Sequence, residues 1–224
     1  PNKQIGSSSK ELYQLLLKNV SSKNLTIIPD NFLNYLPFES LQNPYSNDYF
    51  VAQTNITYNA SIALWYLHNK QTQTNSSVKL ATFAPIYENT IYNNTQFPNL
   101  PYAKTEATSI VNLFDGRAFI GQHATKNNFL IQNKSYSVLH CSMHSVLYDN
   151  DFNQSYLLFA NAQPMYFNEL YTKAIPAEMV VLSACNTGAG KLVEGEGIMS
   201  LSRAFTYAGV KSTVVSLWQV PDKE

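Results

Sequence analysis

Cys185 and His144 are the residues of this chain whose types and settings best suit nucleophilic chemistry. Cys185 closes an apolar run, residues 179–184, and His144 ends the strand-like run over 136–144. A thiolate is the reactive form of cysteine, and an imidazole that accepts the thiol proton makes it accessible near neutral pH. The two must meet in space, and neighbouring parallel strands that each end in one member would bring them together. Asn186-Thr187-Gly188-Ala189-Gly190 follows the cysteine and is flexible enough to turn backbone N–H groups toward a substrate carbonyl, the requirement of an oxyanion hole. Ser145, next to His144, offers a second N–H. A cysteine at the end of a buried strand is also a common small core residue, so residue types alone leave both readings open.

The other candidates carry less chemistry. Cys141 lies inside its run and is expected in the core. His140 shares a strand face with His144; it either supports the site or is a satisfied buried histidine, and the second reading is preferred. His68 and His123 fall near element ends or loops and are given no role. Gly188-Ala189-Gly190-Lys191 begins like a phosphate loop, but Cys185 stands at the first glycine and Leu192 at the magnesium-binding hydroxyl. Gly195-Glu196-Gly197 starts like a dinucleotide fingerprint, but Ser200 replaces its third glycine. No Gly-x-Ser-x-Gly elbow occurs, which argues against a serine hydrolase. Nucleotide binding is left as a weak alternative.

The elements that must position this pair alternate in type. Helical periodicity is expected over 10–20, 60–68, 103–114, 126–131, 166–171 and 198–208. Strands are expected over 24–28, 49–53, 79–84, 118–121, 136–144, 156–160, 179–185 and 213–218. Residues 87–100 read as a long Asn/Pro/Thr-rich excursion, and 188–197 as a glycine-punctuated loop. Such alternation implies an α/β layered fold with a mainly parallel sheet, whose sites gather beyond the carboxyl ends of its strands. No internal repeat or domain boundary stands out.

Composition narrows the class further. The 224 residues are 45% apolar, and 15 basic groups balance 15 acidic ones. A globular core is therefore expected, without the charge excess that favours nucleic acid or a membrane surface. No stretch is apolar enough to span a bilayer, and no signal pattern opens the chain. Two cysteines make neither a disulfide framework nor a zinc site. A reducing cytoplasm is the expected setting.

Val181-Leu182-Ser183-Ala184-Cys185-Asn186-Thr187-Gly188, Gly195-Glu196-Gly197, Leu201-Ser202-Arg203-Ala204-Phe205, Ala208-Gly209 and Ser216-Leu217-Trp218 together resemble the CHAT domain. That family is related to caspases and separases and is often fused to tetratricopeptide repeats. Earlier blocks extend the resemblance along nearly the whole chain: Ile28-Pro29-Asp30, Leu36-Pro37-Phe38-Glu39-Ser40-Leu41, Phe83-Ala84-Pro85, the Glu106 helix and Leu139-His140-Cys141-Ser142-Met143-His144.

The resemblance implies a three-layer α/β/α caspase-like sandwich spanning residues 1–224, lacking the C-terminal segment with which similar domains continue. It implies a cysteine endopeptidase with His144 as catalytic histidine, Cys185 as nucleophile, and the backbone N–H groups of Ser145 and Cys185 as oxyanion hole. Relatives usually carry glycine after the histidine, so Ser145 motivates the alternative of a catalytically silent interaction or scaffold domain. Asn186 stands where Glu or Gln is common. Asp149, Asp151, Glu194, Glu196 and Asp222 are candidates for an acidic pocket that would take a basic P1 residue. Ser183 occupies the position where metacaspase-like relatives place an aspartate. A protein or peptide substrate, a regulatory tetratricopeptide-repeat or sensor region, and a role in bacterial defence or regulated cell death are likewise implied; no cofactor or metal is.

Overall fold

The computed structural model describes residues 2–70, 78–148, 151–183, 190–193 and 197–216. The chain divides into two units, Pro1–Thr72 and Gln73–Glu224. In the first, α1 (Asn2–Leu16), β1 (Asn24–Ile27), β2 (Asn55–Tyr58) and α2 (Ile62–Lys70) follow in order, with β1 and β2 parallel. Tyr13, Leu17, Phe38, Leu41 and Phe50 form its core. The strand expected over 49–53 is instead a 3-10 turn, Phe50–Ala52, because Phe50 turns inward edge-on to Tyr13 with ring centres 5.8 Å apart. Strand pairing moves to Asn55–Tyr58. The helix expected from residue 10 starts earlier, and Ser7–Ser9 lie within it; Ser7 Oγ donates to Glu11 at 3.0 Å.

The second unit contains β3 (Leu80–Ala84), β4 (Ile91–Tyr92), β5 (Thr95–Gln96), α3 (Pro101–Leu113), β6 (Gly116–Ile120), α4 (Lys126–Gln132) and β7 (Val138–Ser142). There follow β8 (Ser145–Val146), β9 (Tyr156–Phe159), β10 (Gln163–Tyr166), α5 (Phe167–Leu170) and β11 (Met179–Ser183). Last come β12 (Gly190–Val193), β13 (Gly197–Ser200), α6 (Leu201–Tyr207) and β14 (Ser212–Val215). Five strands make a wholly parallel sheet in the order β14-β11-β7-β3-β6. Every residue of β3 and β7 is buried, as befits strands at the centre of a parallel sheet.

The two faces of this sheet are covered by different chemistry. One packs Ala81, Phe83, Leu139, Cys141, Val180 and Leu182 against Phe129 of α4 and Phe205 of α6. Phe83 stacks on Phe119 at 4.8 Å and meets Phe129 edge-on at 5.2 Å. On the other face, Ala103 and Ala107 of α3 lie against Ala84 and Ile120. Small residues there let the helix approach the strands closely. The layers are thus helix, sheet and helix, the α/β sandwich anticipated from the alternation of elements.

Chain order across the sheet reverses between β3 and β7: later strands are added beyond β7, whereas β6 lies on the far side of β3. In open α/β sheets the crevice at such a reversal, beyond the carboxyl ends, is where ligands bind. Two polar stretches prove more ordered than expected. Residues 87–100 contain the β4–β5 hairpin, and the presumed loop over 188–197 includes β12 and part of β13, which pair antiparallel. Because residues 197–200 are strand, α6 begins only at Leu201. The strand expected over 136–144 breaks after Ser142 and resumes as β8 in a second sheet, β10-β9-β8.

Candidate active site

His144 lies two residues past β7, at the carboxyl edge where the sheet order reverses. Its imidazole rests between two aromatic rings, Tyr87 at 4.6 Å and Phe97 at 5.3 Å between centres. Nε2 is 2.7 Å from the carbonyl oxygen of Pro98. A carbonyl can only accept, so Nε2 carries the hydrogen and Nδ1 is the basic nitrogen of the neutral ring. That tautomer suits a proton acceptor whose far side is held by a fixed dipole.

The main chain at His144 is set by Tyr87, whose side chain is fully buried. Leu158 N–H donates to His144 C=O at 2.9 Å, one half of an antiparallel pair. The other half is opened by the Tyr87 hydroxyl, which accepts from His144 N–H at 3.2 Å and donates to Leu158 C=O at 2.5 Å. Burial pushes this phenol far above its ordinary pKa, so it stays a neutral donor. Antiparallel ladders alternate bonded and non-bonded pairs. With His144 and Leu158 bonded, the Ser145–Leu157 pair is the non-bonded one, and Ser145 N–H turns away from β9. β8 is the edge of its sheet.

Pro98 reaches His144 because the excursion after β3 folds back on itself. Asn93 and Asn94 both take positive φ, 48° and 59°, the two-residue conformation that lets a tight hairpin follow strand twist. Phe97 N–H then donates to Thr90 C=O at 3.0 Å, and Tyr87 N–H to Asn99 Oδ1 at 3.2 Å. The hairpin is tied to β10 by the hydroxyls of Tyr92 and Tyr166, 2.5 Å apart.

A second polar group lies on the α3 face of the same strand ends. Glu106 Oε2 accepts from Ser142 Oγ at 2.5 Å, and its Oε1 lies 3.1 Å from His140 Nε2 as an ion pair. His140 Nε2 is also 3.1 Å from Ser142 Oγ. Burial alone would raise the Glu106 pKa, but these hydrogen bonds and the imidazole outweigh it and hold the carboxyl below its usual range. His140 is therefore a satisfied buried histidine, paired rather than packed against carbon.

The family model described as CHAT domain matches residues 7–224. The chain belongs to the CHAT domain family. CHAT domains are related to caspase-like cysteine peptidases, and the parallel five-stranded sheet agrees with that relationship. No curated protein matches the chain.

Within this CHAT domain the sequence-derived candidates fall into three groups. His144 and Ser145 stand together at the crevice. Asp151 caps a 3-10 turn, accepting from Asn153 N–H at 3.1 Å and Gln154 Nε2 at 2.9 Å. Cys185, Asp149, Glu194, Glu196 and Asp222 lie outside the described residues, as does the glycine-containing stretch over 186–189. Cys141 is wholly buried, and burial pushes its thiol up to about 12, which suits core and not catalysis. The Ser145 hydroxyl is buried and has no hydrogen-bond partner among the described residues. No three His, Cys, Asp or Glu side chains among those residues converge as a metal site.

Sequence reasoning did not single out Tyr87, Phe97 or Pro98 as site residues. Their signal is weak, because a backbone carbonyl needs no particular side chain and the contacts span 57 and 46 positions. Glu106 was more accessible. It shares a helical stripe with Ala103, Ala107 and Ile110, so a carboxylate there faces the sheet and demands a buried partner.

Proposed function

We propose that this CHAT domain is a cysteine endopeptidase that cleaves a protein partner, with Cys185 as nucleophile and His144 as general base. The observation that carries the reading is the His144 ring: flanked by two aromatic rings, bonded through Nε2–H to the Pro98 carbonyl, and basic at Nδ1. Cys185 follows β11 by two residues, and β11 pairs directly with β7 in register Ser183 to Ser142. Cys185 thus follows the end of β11 at the same sequence distance as His144 follows the end of β7.

His144 Nδ1 takes the thiol proton as sulfur attacks the scissile carbonyl carbon. The negative oxygen is held by the N–H groups of Ser145 and Cys185. Collapse breaks the C–N bond, and the imidazolium returns its proton to the leaving amine. Water, deprotonated by His144, then attacks the thioester; the acid leaves and the thiol is restored. Ser145 has no positive φ, so serine strains the backbone no more than glycine would, and its N–H faces away from β9. This supports turnover over a catalytically silent scaffold.

The wider setting belongs to the same proposal: a cytoplasmic bacterial peptidase in defence or regulated cell death, controlled by a tetratricopeptide-repeat or sensor region. A basic P1 residue is the proposed preference, with Asp149, Asp151, Glu194, Glu196 and Asp222 as pocket candidates. A peptidyl acyloxymethyl ketone tests the reactive thiol. It should label Cys185 in the folded protein and leave Cys141 unmodified, with labelling lost in His144→Ala. Labelling of Cys185 no faster than in denatured protein would overturn the assignment.

A further inference from the structure

The carbonyl that orients His144 belongs to the peptide between Pro98 and Asn99, so whatever fixes that peptide plane fixes the imidazole. The sequence around it, Phe97-Pro98-Asn99-Leu100-Pro101, leaves little else to fix. A proline locks its own φ and drives the residue before it out of helical backbone, which restricts Phe97 with Pro98 and Leu100 with Pro101. Leu100, at φ −109° and ψ 85°, accordingly stays outside the helix that Pro101 opens. Phe97 is held further by its buried ring and by its N–H bond to Thr90 C=O. The rotation left over is about the two bonds that flank the Pro98–Asn99 peptide, and it swings the carbonyl toward His144 or away.

The Asn99 side chain is placed to stop that rotation. Asparagine at the entrance of a helix commonly serves as its cap, but the cap of α3 is Leu100, without a side-chain bond. Asn99 Oδ1 turns back instead and accepts from Tyr87 N–H at 3.2 Å. Tyr87 is also the residue whose hydroxyl accepts from His144 N–H at 3.2 Å. His144 Nε2 in turn meets the Pro98 carbonyl at 2.7 Å, and that carbonyl carbon is bonded to Asn99 N. The contacts close into a ring, from Asn99 to Tyr87, from Tyr87 to His144, and from His144 back to the Pro98–Asn99 peptide. We propose that Asn99 is a positioning residue, whose Oδ1 holds the Pro98 carbonyl on His144 Nε2 and thereby keeps Nδ1 as the basic nitrogen. Its consequence for turnover rests on the Cys–His reading above; its effect on the imidazole does not.

Asn99→Leu and Asn99→Asp separate this role from packing, because both keep the size of asparagine and only aspartate keeps the acceptor. Asn99 is exposed, so both variants should fold, and protection of buried Cys141 from iodoacetamide checks that they do. With isotopically labelled imidazole nitrogens, two-bond proton–nitrogen correlation reads the tautomer at about pH 8.5, well above the ordinary imidazole pKa of about 6.5. The His144 signals are identified by their loss in His144→Gln. Wild type and Asn99→Asp should show His144 as the Nε2–H tautomer alone. Asn99→Leu should show both nitrogen shifts drawn toward their mean, as in a ring that exchanges between tautomers. On a cleaved peptide, kcat should fall roughly tenfold in Asn99→Leu with KM little changed, and return in Asn99→Asp.

If Cys141 becomes reactive in Asn99→Leu, Asn99→Ala, which also lacks the acceptor, carries the comparison. A His144 tautomer that matches wild type in the folded variant without the acceptor overturns the proposal, and so does an unaltered kcat in an active enzyme. An equal change in Asn99→Leu and Asn99→Asp overturns it as well, since the acceptor would then be immaterial. A tautomer that shifts only where the acceptor is lost, in a protein whose wild type cleaves nothing, supports the positioning and overturns the Cys–His reading instead.

Discussion

His144 is held by groups that touch different parts of it, and Tyr87 holds the part a side-chain inventory overlooks. Its hydroxyl stands where a ladder bond between His144 N–H and Leu158 C=O would close. Tyr87→Phe keeps the ring against the imidazole but lets that pair close, drawing His144 toward β9 and away from the Pro98 carbonyl. Misplacement of about 1 Å can cost roughly a hundredfold in rate, whereas a lost buried hydrogen bond costs about 1 kcal/mol. The variant should therefore lose kcat by roughly 10-fold to 100-fold with KM little changed. Its Tm should fall by only a few degrees. Steady-state kinetics beside a thermal melt will check this; unaltered kcat would show that the wedge does not position the base. At this scale the sequence was informative about reactive atoms and silent about what orients them. A cysteine and a histidine at strand ends stand out by type and place, but the Pro98 carbonyl and the Tyr87 hydroxyl become site groups only once residues 85–100 have folded back.

At the scale of elements, α3 and the strands beneath it behave as one electrostatic unit. The carboxyl of Glu106 is held below its usual range in the folded state because His140 and Ser142 favour the charged form more than burial disfavours it. A carboxylate with a lowered folded pKa contributes stability above its unfolded pKa, about 4.3, and loses it as pH falls through the folded value. Denaturant unfolding of wild type and Glu106→Gln should thus differ most near neutrality, and the gap should narrow as pH drops below about 4. A gap that holds constant down to pH 2.5 would mean that the charged form gains nothing from the fold. The central strands were legible because strands buried on both faces are written mostly in apolar residues, as in residues 80–84 and, around His140 and Ser142, 138–142. The β4–β5 hairpin and the β12–β13 pair were not, because Asn and Gly signal turns without saying whether two-residue or four-residue strands flank them. Phe50, inside a presumed strand, was misread because a single inward aromatic anchor outweighs local propensity.

For the whole molecule, membership of the CHAT family and a five-stranded parallel sheet are in hand, and the peptidase reading joins them to one crevice. Among the described residues no helix is long and apolar enough to cross a membrane. The order in which strands add beside β3 puts the loop after β3 and the exit of β7 side by side, and this is why Pro98 and His144 meet across 46 positions. That topology could not be read from periodicity, which gives the elements and not their neighbours. The central claim, that this sheet edge supports hydrolysis by Cys185, is tested most directly by turnover. Full-length protein should be incubated with a positional peptide library and the products sequenced by mass spectrometry, wild type beside Cys185→Ala and Cys141→Ala. The account predicts cleavage at a defined P1 residue by wild type and Cys141→Ala and none by folded Cys185→Ala; cleavage that persists in Cys185→Ala would contradict it.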